Sequence, residues 1–342
     1  MDIRRVQMTG GSSFIVTLPK EWAESIGLKK NDPLRLSPQQ DGSIIITTAD
    51  SDVHSTYVTK IIDVNGLTDP DLVFRMLVGA YMSGFSLIEV VSSSRLSNTV
   101  LDVIGRMTQM AIGLEIIEEY DSRVVLKDLV DPSEMRMGKS LERMRVLVRN
   151  MMADASAALK NDTMSLVDDI IARDSDVDRL AWLITRQTNM FQRDVGLLKK
   201  IGMDHSEITI NYTISKFVER IGDHTVAIAD NSRRIIGNPE FRELRAEASK
   251  LCDLVVAMFM KSLSTMNSND PKVASDCINE SRALSEVAKS LNKQAVGKEY
   301  DVALAVNLIT GSLRRICEYS MDISELAINS VMGKEDKKPK KQ

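Results

Sequence analysis

Four carboxylates stand in two pairs spaced four apart: Asp174 and Asp178 in "ARDSDVDRLAWLI", and Glu219 and Asp223 in "FVERIGDHTVAIAD". In a helix, residues i and i+4 share one face at about 6 Å. The pairs fall on consecutive long helical segments that should run antiparallel, so four carboxylates could meet. Carboxylate oxygens suit hard cations such as Mg²⁺, Mn²⁺ and Fe³⁺, and Zn²⁺ accepts them too. The competing reading is a solvated face. The apolar stripe Ile210, Ile214, Phe217, Ile221, Ile228 sets Glu219 and Asp223 nearly opposite to it, beside Lys216 and Asp230, as on a wetted surface. On the preceding segment the stripe is Val167, Ile170, Val177, Ala181, Ile184. Asp174 falls inside its edge and Asp178 just beyond, where a carboxylate needs a partner. The residues alone leave both readings open and favour the solvated face.

Other chemistry is sparse. His224 lies on the apolar stripe and reads as a packed, hydrogen-bonded core residue. His205 reads as a loop residue before a capping Ser206. There is no GxSxG, no HExxH and no Glu-x-x-His of the di-iron type, and three histidines give little material for acid–base work. The chain therefore reads as a non-enzyme. "MGKS" at Met137–Ser140 resembles the end of a phosphate-binding loop, but Ser133 stands where the first glycine belongs, and the local signals are those of a helix start. Cys252, Cys277 and Cys317 are isolated, which argues against disulfides or a thiolate zinc site and fits a reducing cytoplasm.

The elements that must position these residues fall into regions. The 342 residues carry a net charge of −4, and the 27% that are charged mark no global nucleic-acid binder. Nineteen methionines and only 4% aromatics suit packed helices. The N-terminus lacks an apolar signal region, and no run of about 18 apolar residues crosses a membrane. Residues 1–50 read as short strands around a small helix, with Pro19 at its first position and a turn at "QQDG". So short a unit buries little by itself and points to dimerisation. Residues 52–132 read as β-α-β-α-β-β, a small α/β domain. Helical periodicity then continues through six segments, roughly 133–160, 162–200, 207–235, 239–267, 270–294 and 298–332, the first opened by Asp131-Pro132-Ser133-Glu134. "KNDTMSLVDDII" is echoed by "NSNDPKVASDCI", and "FVERIGDHTVAIADN" by "SLRRICEYSMDISEL", with Arg220-Ile221 matching Arg315-Ile316. Residues 133–237 and 238–332 thus read as two tandem three-helix bundles. Residues 333–342 form a basic tail expected to be disordered. The fold class is multidomain and mainly α.

"FVERIGDHTVAIAD" resembles the signature helix of the PhoU family of phosphate-signalling regulators, and "IIARDSDVDRL" resembles that family's partner motif. The resemblance covers residues 133–332. It implies multinuclear metal clusters on an outer bundle face, held here by Asp174, Asp178, Glu219 and Asp223, with Fe, Zn, Mg or Mn as the ion. The second repeat departs from the pattern: Ser281 and Ser285 replace the first pair, Arg314 replaces Glu219, and only Glu318 stays acidic. One metal-competent and one degenerate bundle are expected, with Glu318 and Asp322 facing solvent. The stretch "RRVQMTGGSSFIVTLPKEWAESIGLKKNDPLRL", continued by "DGSIIITT", resembles the AbrB/SpoVT-type swapped-hairpin DNA-binding domain. Asn31 stands where that family has Gly, and Asn tolerates the left-handed backbone. This resemblance implies a homodimer whose chains interlock into one β-barrel. Arg4, Arg5, Lys20, Lys29 and Lys30 would contact DNA at a palindromic operator. Together the two imply a cytoplasmic, phosphate-responsive transcriptional regulator. The alternative is an adaptor that damps a phosphate ABC transporter or sensor kinase by protein contact.

Overall fold

The computed structural model describes residues 3–11, 13–38, 42–48, 58–131 and 134–333. The chain divides into two compact units, residues 1–57 and 58–342. The basic tail beyond Gly333 and the linker 51–57 lie outside the described residues, as do Gln39, Gln40 and Asp41 of the expected turn.

In the first unit β1 (Gln7–Thr9) pairs antiparallel with β2 (Ser13–Ile15). Helix α1 (Lys20–Ser25) follows, with Pro19 as its N-cap at ψ 130°. Proline thus sits one position earlier than expected, because its own backbone is still extended. Asn31 adopts φ 74°, the left-handed conformation that its short amide side chain permits. Beside it the Lys29 N–H donates to Asp32 at 2.7 Å. β3 (Leu34–Pro38) then pairs antiparallel with β4 (Ile44–Thr48). One chain by itself shows no closed barrel among the described residues: it shows two separate ribbons. They leave Phe14, Val16, Leu36 and Ile44 exposed, and α1 buries no residue.

The second unit opens with β5 (Thr59–Asp63), α2 (Pro70–Met82), β6 (Leu87–Val91), α3 (Asn98–Met110), β7 (Leu114–Tyr120) and β8 (Arg123–Asp128). This is the expected β-α-β-α-β-β order. The sheet runs β5-β6-β8-β7, with β5 and β6 parallel and the other pairs antiparallel. Asp69 caps α2 before Pro70, and Ser97 caps α3, so both helices start on side-chain acceptors. Leu77, Tyr81, Ile88, Ile104 and Met107 fill the core between helices and sheet.

The helical region comprises α4 (Met137–Asn161), α5 (Met164–Arg193), α6 (Val195–Ile201), α7 (His205–Ser232), α8 (Arg245–Ser268), α9 (Pro271–Gln294) and α10 (Tyr300–Met332). Three boundaries correct the sequence reading. α4 starts after Arg136, not at the Asp131 signal; Glu134 N–H only closes a turn onto Asp131 C=O, and Pro132 and Ser133 lie outside the described residues. The expected second helix breaks at Asp194, whose extended backbone ends α5 and whose side chain accepts from Leu197 N–H. His205 is helical, because Asp204 caps α7 in a reciprocal capping box with Glu207.

α4, α5 and α7 pack as one three-helix bundle and α8, α9 and α10 as another, joined through α7–α10 and α4–α8 over one continuous core. The repeat is visible in burial. Ile214, Ser215, Val218, Ile221 and Gly222 of α7 are buried, and so are Ile309, Thr310, Leu313, Ile316 and Cys317, their counterparts in α10.

The α/β domain is stapled to α5 by Arg186, which is 1% exposed. Its Nε and Nη2 donate to Asp128 Oδ2 at 2.8 and 2.7 Å, Nη1 to Tyr81 C=O at 2.6 Å, and Nη2 also to Phe85 C=O at 3.0 Å. Asn189 Nδ2 donates to Met82 C=O one turn on. Gly84, at φ 85°, lets the chain pass Met190: a Cβ there would meet Met190 Cγ at 2.8 Å.

Candidate functional site

α5 and α7 are neighbours in the first bundle, and their i,i+4 spacings bring all four sequence-selected carboxylates onto the seam between them. Asp174, Asp178 and Glu219 are half-buried, while Asp223 is exposed at the rim. The wetted-face reading therefore fits Asp223 alone. Gly222 lies beneath the seam; a Cβ at that position would sit 3.5 Å from Val148 and Val177 side chains and 3.9 Å from Asp174 Oδ1.

The electrostatics are those of crowded like charges. Burial pushes the Asp178 carboxyl up to about 6, helped by the negative charges of Asp174, Glu219 and Asp223. Asp174 is raised by burial and then by Glu219. Asp223 is raised by burial and then by Asp174 and Glu219. Asp174 Oδ1 is a buried acceptor with no donor among the described residues, although the helical wheel put it where a carboxylate needs a partner. Two cations relieve the cluster: Lys216 Nζ donates to Glu219 Oε2 at 2.6 Å and favours the charged forms of Asp178 and Asp223, and the Arg220 charge also favours that of Asp223. Sequence reasoning grouped Lys216 with the solvated face; its i,i+3 spacing to Glu219 was the available sign of this role.

The donor set fits a hard cation by its chemistry: all-oxygen, anionic, with one buried acceptor atom unused. As the side chains stand, no three acid, imidazole or thiol groups among the described residues converge closely enough to hold an ion. Loading would require Asp174, Asp178, Glu219 and Asp223 to turn inward and Lys216 to give up Glu219.

The second bundle carries the same frame without this chemistry. Ser281 is fully buried with its Oγ unpartnered, and Arg314 has a buried, unpartnered Nε. Glu318 is not simply solvated as expected: it is half-buried and accepts from Arg315 Nη1 at 2.7 Å. Asp322 is likewise half-buried, and burial raises its carboxyl. Where α7 meets α10, Tyr319 stacks on Phe217 and faces His224 at 5.9 Å. His224 is thus half-buried against a ring, and burial followed by the Arg315 charge lowers its imidazole.

The basic residues selected in the first unit are all exposed. Arg4 and Arg5 precede β1, Lys20 opens α1, and Lys29 and Lys30 lie in the turn before β3. Lys20 is engaged by Glu24 at 3.6 Å.

A duplicated three-helix frame with an acidic seam on one half, following a small β-ribbon unit in the chain, defines the architecture. Residues 141–232 match the PhoU domain, and residues 7–53 match the antidote-toxin recognition family MazE, a bacterial antitoxin. The chain therefore carries a PhoU domain behind a MazE/AbrB-like N-terminal domain. Among solved structures, PhoU from Pseudomonas aeruginosa is 19% identical with a TM-score of 0.52, over 58% of this chain and 96% of that one. The phosphate transport system regulatory protein PhoU from Streptococcus pneumoniae is 18% identical with a TM-score of 0.50, over 58% and 94%. At these identities the likeness is one of fold. No curated protein matches the sequence. Among the described residues no helix is long and apolar enough to cross a membrane.

Proposed function

We propose that the chain is a phosphate-responsive regulator of phosphate uptake or metabolism, acting on DNA through its N-terminal unit and carrying a metal-binding PhoU module. The observation that carries the metal reading is the acidic seam. Four carboxylates are drawn together against their own repulsion, one oxygen has no donor among the described residues, and Lys216 and Arg220 offset them only in part. Folded proteins retain such conflict mainly where a ligand resolves it. A bound Fe, Zn, Mg or Mn ion would supply positive charge there, and Asp174, Asp178, Glu219 and Asp223 would hold it. The exposed apolar residues of the two ribbons support pairing with a second copy, and a two-fold dimer matches a palindromic operator. Buried free thiols support a reducing cytoplasm. Elemental analysis of purified protein tests the seam: an Asp223→Asn variant with the same metal content as the parent overturns it. For the N-terminal unit, Arg4→Ala with Arg5→Ala should abolish salt-sensitive operator binding, and unchanged binding overturns that half.

A second reading, an adaptor that damps a phosphate ABC transporter or sensor kinase by contact alone, draws on the charge of residues 1–50. That segment holds Arg4, Arg5, Lys20, Lys29, Lys30 and Arg35 against Asp2, Glu21, Glu24, Asp32, Asp41 and Asp50. Such a balance gives a thin footprint for DNA. Recovery of a membrane partner with no operator footprint would decide for it.

A further inference from the structure

A cavity of about 370 Å³ lies where the α/β domain meets the first bundle, its α5 wall, Arg179 and Leu180, within two turns of the staple's Arg186. Its charged lining is dominated by Arg136, Lys139, Arg143 and Arg179. Arg179 is occupied: Nε donates to Met110 C=O and Nη1 to Asp176, which also lines the cavity. The side chains of Arg136, Lys139 and Arg143 have no hydrogen bond or ion pair among the described residues, and Glu134 is the remaining acid of the lining.

The same cavity receives the N-terminus of α4. Arg136 is the N-cap, no side chain caps the helix, and its first turn holds no acid. The 25-residue helix thus starts without a side-chain cap, its Lys139 and Ser140 N–H groups donating to Arg136 C=O, and the positive end of its dipole stands beside three cations. The "MGKS" segment is not a phosphate-binding loop, since no glycine-rich cradle precedes it; yet Lys139 and Ser140 line this cavity from the helix end. The lining also includes the apolar side chains of Ile112 and Leu180.

We propose that this cavity binds a phosphorylated small organic molecule. Its phosphoryl group meets Arg136, Lys139, Arg143 and the α4 amides, and its organic body lies on Ile112 and Leu180. Three cations and a helix end select a doubly charged phosphoryl oxyanion over neutral polar groups. The volume falls within the range of small-ligand pockets and exceeds what a bare phosphate ion fills. Because the walls come from the α/β domain, the segment before α4, α4 and α5, occupancy would tie these elements together. The inference stands apart from the acidic seam and from DNA binding.

Isothermal titration calorimetry of the full chain tests it with a panel of AMP, ADP and glucose 6-phosphate, beside orthophosphate, adenosine and citrate. At least one phosphorylated organic probe should bind more tightly than orthophosphate, and adenosine and citrate should not bind. Lys139→Ala with Arg143→Ala should weaken that probe at least tenfold, while Arg149→Ala, further along α4, leaves it unchanged. Circular dichroism checks that each variant is folded; if the double variant is not, Lys139→Gln and Arg143→Gln singly replace it. Four results overturn the proposal: no phosphorylated probe binds, orthophosphate binds as tightly as any of them, citrate binds equally, or the charge variants bind like the parent.

Discussion

Removing the Arg186 guanidinium should be among the most damaging single changes in the second unit. In Arg186→Met the methionine fills much of the same volume but donates nothing. It leaves the Asp128 carboxylate, whose side chain is 8% exposed, with only the Val130 N–H as a donor among the contacts described, and strands the carbonyl of Phe85, while Tyr81 C=O keeps the Gly84 N–H. An uncompensated buried charge costs about 3–5 kcal/mol. The stranded carbonyl adds about 1 kcal/mol unless water reaches it. A loss of about 4–6 kcal/mol follows. Asp128→Asn keeps the shape and one acceptor but leaves the guanidinium charge unpaired, so it should cost nearly as much. The two changes remove one interaction, so the double variant Arg186→Met with Asp128→Asn should cost far less than their sum, giving a coupling energy above about 2 kcal/mol. Urea unfolding of the four proteins, followed by far-UV circular dichroism, measures the cycle. If the α/β domain unfolds separately in the single variants, a second transition should appear. Single losses below about 1 kcal/mol, or strict additivity, would refute the staple.

In metal-free protein the Asp178 carboxyl, up to about 6 from an ordinary 3.8, is protonated in the folded chain over a pH range where the unfolded chain has released the proton. The penalty is absent below about pH 4, grows as pH rises through 6 and is complete above it. Two pKa units set a ceiling of about 3 kcal/mol, and solvent screening of a half-exposed group reduces it to roughly 1–2 kcal/mol. Asp178→Asn should therefore stabilise the chelator-treated protein at pH 7.5 and not at pH 4; parallel Tm–pH curves for parent and variant would count against the crowding. Burial pushes the Cys252 and Cys317 thiols up to about 12, so a thiol reagent at pH 8 should label neither until denaturant is added. Gly84→Ala should destabilise, through positive φ and the Met190 contact, whereas Gly222→Ala meets only ordinary contacts and should add about 1 kcal/mol from helix propensity. Thermal melts of the two variants should therefore move in opposite directions.

The elements that could be read from sequence are those written in local periodicity. The α7 stripe around Ile214 and Ile221, the alternation in "FSLIEVV", and the echo of Arg220-Ile221 in Arg315-Ile316 each state a burial phase within a few residues. The helix ends were less legible. Asp131-Pro132 carries every mark of an N-terminus, but the chain turns once more before α4, and Asp194 looks like any helical acid until its side chain turns back to the Leu197 amide. The acidic seam was half legible: a wheel gives the direction of one helix face but not the neighbour that covers it, so Glu219 was placed in water when α5 half-buries it. The Arg186 staple left no trace, because its partners lie more than fifty residues away and two of them are main-chain carbonyls. The cavity was hidden for the same reason, since its cations gain meaning only from a wall supplied by another domain.

The matched burial of α7 and α10 also bears on how this molecule can be approached. An internally duplicated scaffold with two identical halves has no front or back, and anything docking near its pseudo-axis could do so in either of two orientations. Here one half carries Asp174, Asp178, Glu219 and Asp223, and the other has Ser281, Ser285, Arg314 and Glu318 at the corresponding places. The duplication supplies symmetry of shape, and the substitutions remove symmetry of charge. A partner that senses electrostatic potential meets a molecule with a defined polarity, so the difference in charge between the halves favours a single direction of engagement.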